Sequence, residues 1–214
     1  MKHGYIVIVL GFLAACGGGQ ETEKVLPVIG NCDVVYNKEG ENDTICPTIP
    51  HFEYLNQDSV TITSGEMKGK IWVAQFFFAT CPTICPPMTT QMKRLNEMTK
   101  DLKDEIQFIS FTINPEHDKP AVLRNYIKKH GITASNWQFL TGNEAETHEL
   151  GINYFMVHAN ADENAAGGYA HSDAFTLVDK EGYVRGVYVG TSTEQVDLME
   201  KDIRKLLKHE YGIE

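Results

Sequence analysis

The sequence has no long run of lysine or arginine, and its formal net charge at pH 7 is -10. Nucleic acids and anionic lipid surfaces are bound chiefly by clustered basic side chains, so neither is an expected partner. There is no internal repeat, and after residue 16 no apolar segment is long enough to span a membrane. A length of 214 residues with 42% hydrophobic residues is typical of one globular domain plus a tail. Such a domain can bury a core without disulfides.

The first 16 residues predict an export signal. Lys2 and His3 precede the apolar stretch "YIVIVLGFLAA", and the last four residues, "LAAC", resemble a bacterial lipobox. In a lipobox the cysteine, here Cys16, is diacylated and becomes the mature N-terminus. An ordinary signal peptide or a short anchor is the alternative. Residues 17–26 predict a flexible tether. We therefore expect a bacterial cell-envelope protein, lipid-anchored to a membrane, with its domain outside the cytoplasm on the periplasmic side.

Cysteines are few, at five, and no Cys-x-x-Cys or Cys-x-x-His pattern is present. If Cys16 carries lipid, four remain, and an even number in an oxidising compartment suggests two pairs. Residues 27–50 contain short β-like runs around a polar turn, which predicts an N-terminal β-hairpin extension. Cys32 and Cys46 flank that turn, so we expect a structural disulfide between them. Free thiols, or ligands for another metal, are the alternatives.

Residues 51–214 predict a single domain in which strands and helices alternate. Buried strands are expected at 70–79, 106–113 and 137–142, with hairpins at 51–63 and 173–190. Helices are expected at 87–102, from Pro120 to a stop at Gly131, at 143–153, and after a Ser192 cap. This order predicts an α/β fold with a mixed central sheet flanked by helices.

Two thiols occur where a buried strand gives way to a helix, in "FFFATCPTICPPM" at residues 76–88. A helix N-terminus stabilises thiolate, which suits both redox chemistry and metal binding at Cys81 and Cys85. Side chains four apart share one helical face, so both sulfurs can point at a common centre. Thiolates favour Cu(I), or zinc where two further ligands exist. A disulfide between Cys81 and Cys85, redox-active or purely structural, remains open.

A third ligand would come from one of eight histidines, most of which lie in loops or on polar helix faces. His158 and His171 flank the polar, glycine-rich loop "ANADENAAGGYA". His171 also directly precedes the strand "SDAFTLVD", so its backbone is fixed at a loop-to-strand junction. His171 is therefore a candidate ligand, and a structural histidine is the alternative.

Three segments in order, "FFFATCPTICPPM", "INPEHDKPAVLRNYI" and "HSDAFTLVDKEG", resemble the Sco/SenC family over roughly residues 48–208. This family comprises membrane-anchored, thioredoxin-like copper proteins used in assembling cytochrome c oxidase. The resemblance implies a thioredoxin-like fold and copper, Cu(I) or Cu(II), bound by Cys81, Cys85 and His171. It also implies the copper-A subunit of the oxidase as partner. Asn114 replaces the first acid of the family's acidic motif, whereas Asp118 is retained, so no role is expected for a carboxylate at 114.

Two functions share these residues. The first is copper delivery to the copper-A centre by a membrane-anchored chaperone. The second is an enzymatic one, reduction of the acceptor's disulfide with Cys81 and Cys85 as the redox pair. A peroxidase of the peroxiredoxin type is less favoured because no arginine is placed to assist Thr80 or Thr83. A purely structural lipoprotein is disfavoured because the three motifs occur together.

Overall fold

The computed structural model describes residues 25–36, 40, 42–162 and 168–213. The predicted signal peptide, Cys16 and residues 17–24 of the tether lie outside the described residues. The strands are β1 (Asp33–Tyr36), β2 (Asn42–Ile45), β3 (Glu53–Asn56), β4 (Thr61–Thr63), β5 (Ile71–Phe77), β6 (Ile106–Thr112), β7 (Trp137–Thr141), β8 (Ala159–Ala161), β9 (Tyr169–His171), β10 (Ala174–Val178) and β11 (Val184–Val189). The helices are α1 (Cys85–Met98), α2 (Pro120–Lys129), α3 (Glu144–Asn153) and α4 (Thr193–Tyr211), with 3₁₀ turns at Ser64–Met67 and Lys100–Leu102. No helix in the described ranges is both long and apolar enough to cross a membrane.

The core is a seven-stranded mixed sheet in the order β11-β10-β5-β6-β7-β3-β4. Strands β5, β6 and β7 are parallel, while β10, β11, β3 and β4 add antiparallel pairs at the two edges. Every residue of β5 and β6 is buried, as expected of central strands covered on both faces. Together with the N-terminal hairpin, this confirms the predicted thioredoxin-like α/β fold.

Neighbouring phenylalanines show how both faces of the sheet are covered. Phe77 packs against Tyr126 of α2, with ring centroids 5.1 Å apart. Phe76 points to the opposite face, where a Cβ added to Gly151 of α3 would lie 3.1 Å from its ring. Glycine at 151 therefore lets α3 approach the sheet closely.

The helices follow their local sequence signals, except that α1 differs from the expectation at both ends. Helix α1 begins at Cys85, two residues before the expected start, because Pro86 and Pro87 fit its first turn, where backbone N–H groups have no helical partner. It ends at Met98 rather than continuing to Leu102. The Thr99 hydroxyl donates to the Leu95 carbonyl at 2.9 Å, and a 3₁₀ turn follows.

The N-terminal extension is a disulfide-closed hairpin. Strands β1 and β2 pair antiparallel, from Asp33 opposite Ile45 to Tyr36 opposite Asn42. Cys32 and Cys46 stand immediately outside this ladder and are joined by an S–S bond of 2.05 Å. The expected pairing of these two cysteines is therefore present in the structure.

A buried arginine fastens the start of the described chain to the domain. The Arg185 side chain, on β11, is 1% exposed and donates to carboxylates of Asp179 and Glu210. It also donates to the main-chain carbonyls of Leu26 and Pro27. Leu26, which the sequence placed in the flexible tether, is buried against the domain. This clamp lies at the end of the sheet where β10 finishes and α4 ends.

Candidate metal centre

Topology brings together residues that are distant in sequence. Cys81 follows the end of β5, and Cys85 is the first residue of α1. His171 ends β9, just before β10 begins. Because β10 runs antiparallel to β5, with Phe175 opposite Gln75, the start of β10 lies beside the end of β5. The loop carrying the thiols therefore meets the loop carrying the imidazole at one end of the sheet.

The three candidate ligand atoms converge. The distance from Cys85 Sγ to His171 Nε2 is 3.3 Å, and from Cys81 Sγ to the same nitrogen 3.9 Å. The two sulfurs and the nitrogen all lie within 4.8 Å of one another. Both cysteines are free thiols and buried. In the described part of the chain, no other group of three His, Cys, Asp or Glu side chains converges in this way.

The tautomer of His171 is set by its neighbour. Its Nδ1 lies 3.1 Å from the Ser172 carbonyl oxygen. A carbonyl can only accept a hydrogen bond, so Nδ1 carries the hydrogen and Nε2 presents its lone pair to the sulfurs. Metal-binding histidines commonly use this arrangement, in which the second ring nitrogen donates to a carbonyl or carboxylate.

The two thiols have unequal acidity. A hydrogen bond from the Cys85 thiol lowers the pKa of Cys81 to about 3, against the opposing effect of burial. That same hydrogen bond, together with burial, raises the pKa of Cys85 above its usual range. The pair therefore holds one proton near neutral pH, with the thiolate on Cys81. Binding of a metal to both sulfurs must release that proton.

A buried carboxylate supports the thiol loop. Asp118 is fully buried, and its Oδ2 accepts from the Ala79 N–H at 2.8 Å and from the Thr112 hydroxyl at 2.6 Å. Its Oδ1 lies 2.7 Å from His117 Nδ1. The carboxylate thus ties the chain just before Cys81 to the end of β6. Asn114, in the same motif, instead accepts from the His117 N–H within its own turn.

An aromatic wall closes one side of the centre. The ring of Phe78, buried in the core, lies edge-on to the His171 imidazole with centroids 5.6 Å apart. The Tyr169 ring also packs against Phe78, with ring centroids 5.5 Å apart. The sequence did not single out Phe78, which is the last of three phenylalanines in an apolar run. Its contact with the imidazole depends on the fold.

The other described histidines are placed elsewhere. His117 pairs with Asp118, His148 lies against the Ile113 carbonyl, and His130 stacks on Tyr126. His51 lies beside Ser64, and His158 is exposed. Among the histidines that the structure describes, His171 is the one that joins the thiols.

Known proteins are similar to this chain in fold and in sequence. The family model described as SCO1/SenC matches residues 41–208. A SCO1 protein homolog of Bacillus subtilis is 29% identical, over 92% of each chain. The crystal structure of a SCO1/SenC family lipoprotein from Bacillus anthracis is 35% identical, covering 74% of this chain and 94% of that one with a TM-score of 0.69. Yeast Sco1 with copper bound is 25% identical, covering 74% and 90% with a TM-score of 0.60.

The family model spans well over half of the sequence, and it includes the thiol loop, the Asp118 support and His171. With these observations, the chain belongs to the SCO1/SenC family.

Proposed function

We propose that this protein is a membrane-anchored copper chaperone that assists assembly of the copper-A centre of cytochrome c oxidase. Cys81, Cys85 and His171 bind the metal, and the copper-A subunit receives it. One observation carries the proposal: two thiol sulfurs and one imidazole nitrogen converge within 4.8 Å. The copper-bound yeast relative supports the choice of metal.

The donor set fits copper better than zinc. Two thiolates and an imidazole satisfy low-coordinate Cu(I), and Cu(II) adds one oxygen or nitrogen ligand. A structural zinc site uses four protein ligands. No fourth histidine, cysteine or carboxylate side chain joins the group among the residues that the structure describes. The two thiolates and the imidazole therefore meet the coordination requirements of copper.

The site is shaped for release as well as binding. Cys85 is 1% exposed, whereas Cys81 is 8% exposed and lies in a loop whose neighbours Thr80, Pro82 and Thr83 are exposed. An incomplete coordination shell leaves room for a ligand from the acceptor to bind the metal before a donor ligand departs. The acceptor therefore approaches from the side of Cys81, and Cys85 is the last sulfur to release the metal.

Attachment to the membrane is part of the proposal. Cys16 in the "LAAC" sequence would carry the lipid, and the Bacillus anthracis relative is described as a lipoprotein. The domain then lies on the outer side of a bacterial membrane, within the cell envelope. In the domain, the Arg185 clamp near the start of the described chain and the metal centre lie at opposite ends of β5, a strand about 20 Å long.

A second candidate, a thiol–disulfide reductase, is favoured by the unequal thiols. The Cys81 thiolate would attack a disulfide of the partner and form a mixed disulfide, releasing one partner thiol. Cys85 would then lose its proton and displace the second partner thiol. The products are a Cys81–Cys85 disulfide and a partner reduced by two electrons. Reduction needs no imidazole ligand, so the two candidates differ in their dependence on His171.

Copper binding is expected to depend on the redox state of Cys81 and Cys85. The reduced protein should bind about one equivalent of Cu(I) and the oxidised protein none, because the metal binds thiolate rather than disulfide sulfur. Competition with a Cu(I) chelator measures this, before and after oxidation and again after re-reduction. A Cys32→Ser/Cys46→Ser variant is the control, since in it, with Cys16 lipidated, only the site pair can respond. Equal affinity of the oxidised and reduced forms would contradict the proposal.

A further inference from the structure

His171 receives little restraint from its own strand. Among the described residues, strand β9 pairs with β8 alone, in a two-stranded sheet separate from the seven-stranded one. Besides the edge contact with Phe78, the imidazole is held by the Ser172 carbonyl, and Ser172 and Asp173 lead into β10. Contacts that fix those two residues therefore help to fix the direction of Nε2.

Asp173 is fastened twice to the junction between β11 and α4. Its main-chain carbonyl accepts from the Gly190 N–H at 2.6 Å. Its side-chain Oδ2 accepts from the Thr191 hydroxyl. A Cβ at Gly190 would lie 2.8 Å from the Asp173 carbonyl and 2.6 Å from the Phe175 ring. Only glycine lets the end of β11 come this close to the loop.

These contacts act on the imidazole through one peptide plane. The Ser172 carbonyl that accepts from His171 Nδ1 belongs to the peptide between Ser172 and Asp173. The N–H of Ser172, which belongs to the preceding peptide, donates to the His158 carbonyl at 2.9 Å. Rotation of the Ser172–Asp173 peptide would carry the carbonyl acceptor away from Nδ1. The tautomer that presents Nε2 to the sulfurs would then no longer be favoured. The hydrogen bond between Asp173 and Thr191 opposes this rotation.

We propose that Asp173 and Thr191 are positioning residues of the metal centre, which hold the Ser172–Asp173 peptide so that His171 presents Nε2 to Cys81 and Cys85. Neither side chain touches the metal position, and their effect passes through the imidazole. The inference rests on the proposed function in assuming that the presented nitrogen binds copper.

Thr191→Val tests this with little change of shape, because valine keeps the volume and β-branching of threonine and lacks the hydroxyl. Thr191→Ser is the matched control that keeps the hydroxyl. In the metal-free, reduced protein, nitrogen NMR of the His171 ring should show one tautomer, with hydrogen on Nδ1, in the wild type and Thr191→Ser. Thr191→Val should show a mixture. Its affinity for Cu(II) should fall about tenfold, the scale on which partners of a ligating histidine act.

A second variant separates positioning from general damage. Asp173→Ala removes the acceptor and should reproduce the Thr191→Val effects, and the double variant should add nothing further, because both changes delete one hydrogen bond. An unchanged tautomer and affinity in Thr191→Val would overturn the inference, as would independent, additive losses. If the wild type binds no copper while the tautomer still shifts in Thr191→Val alone, the positioning stands and the proposed function fails.

Discussion

Cys85→Ser is expected to abolish copper binding, from about one equivalent of Cu(I) to none in the presence of a competing chelator. Serine replaces a soft sulfur, which loses its proton when metal binds, with a hard hydroxyl oxygen that stays protonated at neutral pH. Cys85 is also the most enclosed ligand, at 1% exposed, so no water or neighbouring side chain can readily take its place. Cys81→Ser should behave in the same way. Chelator competition followed by metal analysis of the desalted protein measures both.

The same variants also test the reductase. Without Cys81 there is no attacking thiolate, and without Cys85 the mixed disulfide formed by Cys81 cannot be resolved. Cys85→Ser should therefore accumulate a covalent complex with a disulfide substrate, whereas Cys81→Ser should not. The Cys32→Ser/Cys46→Ser variant, which keeps the site, controls for loss of a structural cysteine. Retention of tight copper binding by either site variant would contradict the ligand assignment.

Arg185→Ala is expected to lower the free energy of unfolding by about 3–5 kcal/mol, the range for breaking a buried ion pair. The change leaves the carboxylate of Asp179, 1% exposed, and that of Glu210 without their cation. Burial already raises the pKa of Asp179. It acts in the same direction on Glu210, where contact with Arg185 overcomes it and holds the pKa low. Urea unfolding of the reduced, metal-free protein measures the loss.

Arg204→Ala is the matched control for that experiment. Arg204 also pairs with two carboxylates, Asp101 and Glu200, but its side chain is 40% exposed. Surface pairs contribute about 0–1 kcal/mol, so the control should unfold close to the wild type. Equal losses of unfolding free energy in the two variants would contradict the prediction, because burial of the Arg185 cluster would then make no difference to stability.

Local patterns were sufficient for much of the fold. The run at 70–79, apolar at nearly every position, predicted a strand buried on both faces, and β5 is buried at every residue. Proline after a strand, at 86 and 87, marked the start of α1 because proline is tolerated in a first turn. Cys32 and Cys46 could be paired from sequence because they flank a hairpin symmetrically. Each of these signals lies within a short stretch of chain.

Contacts between residues far apart in the sequence could not be predicted from local patterns. His171 could not be separated from a structural histidine by spacing, because its meeting with the thiols depends on β10 pairing with β5. The family resemblance supplied that choice. Arg185 gave no signal at all, since a lone arginine in a strand is normally exposed. Its burial requires Asp179, Glu210 and the carbonyls of an N-terminal segment that the sequence placed in the tether.

The central claim is most directly tested by copper titration of the reduced protein, wild type beside His171→Ala, followed by absorbance and electron paramagnetic resonance. We predict about one equivalent bound, with thiolate-to-Cu(II) charge transfer. In His171→Ala both the affinity and the spectrum should change, while the thiols still reduce a protein disulfide. Unchanged affinity and spectra in His171→Ala would contradict the assignment of the histidine. Absence of specific binding by the wild type, with an active dithiol, would contradict copper delivery and leave the reductase.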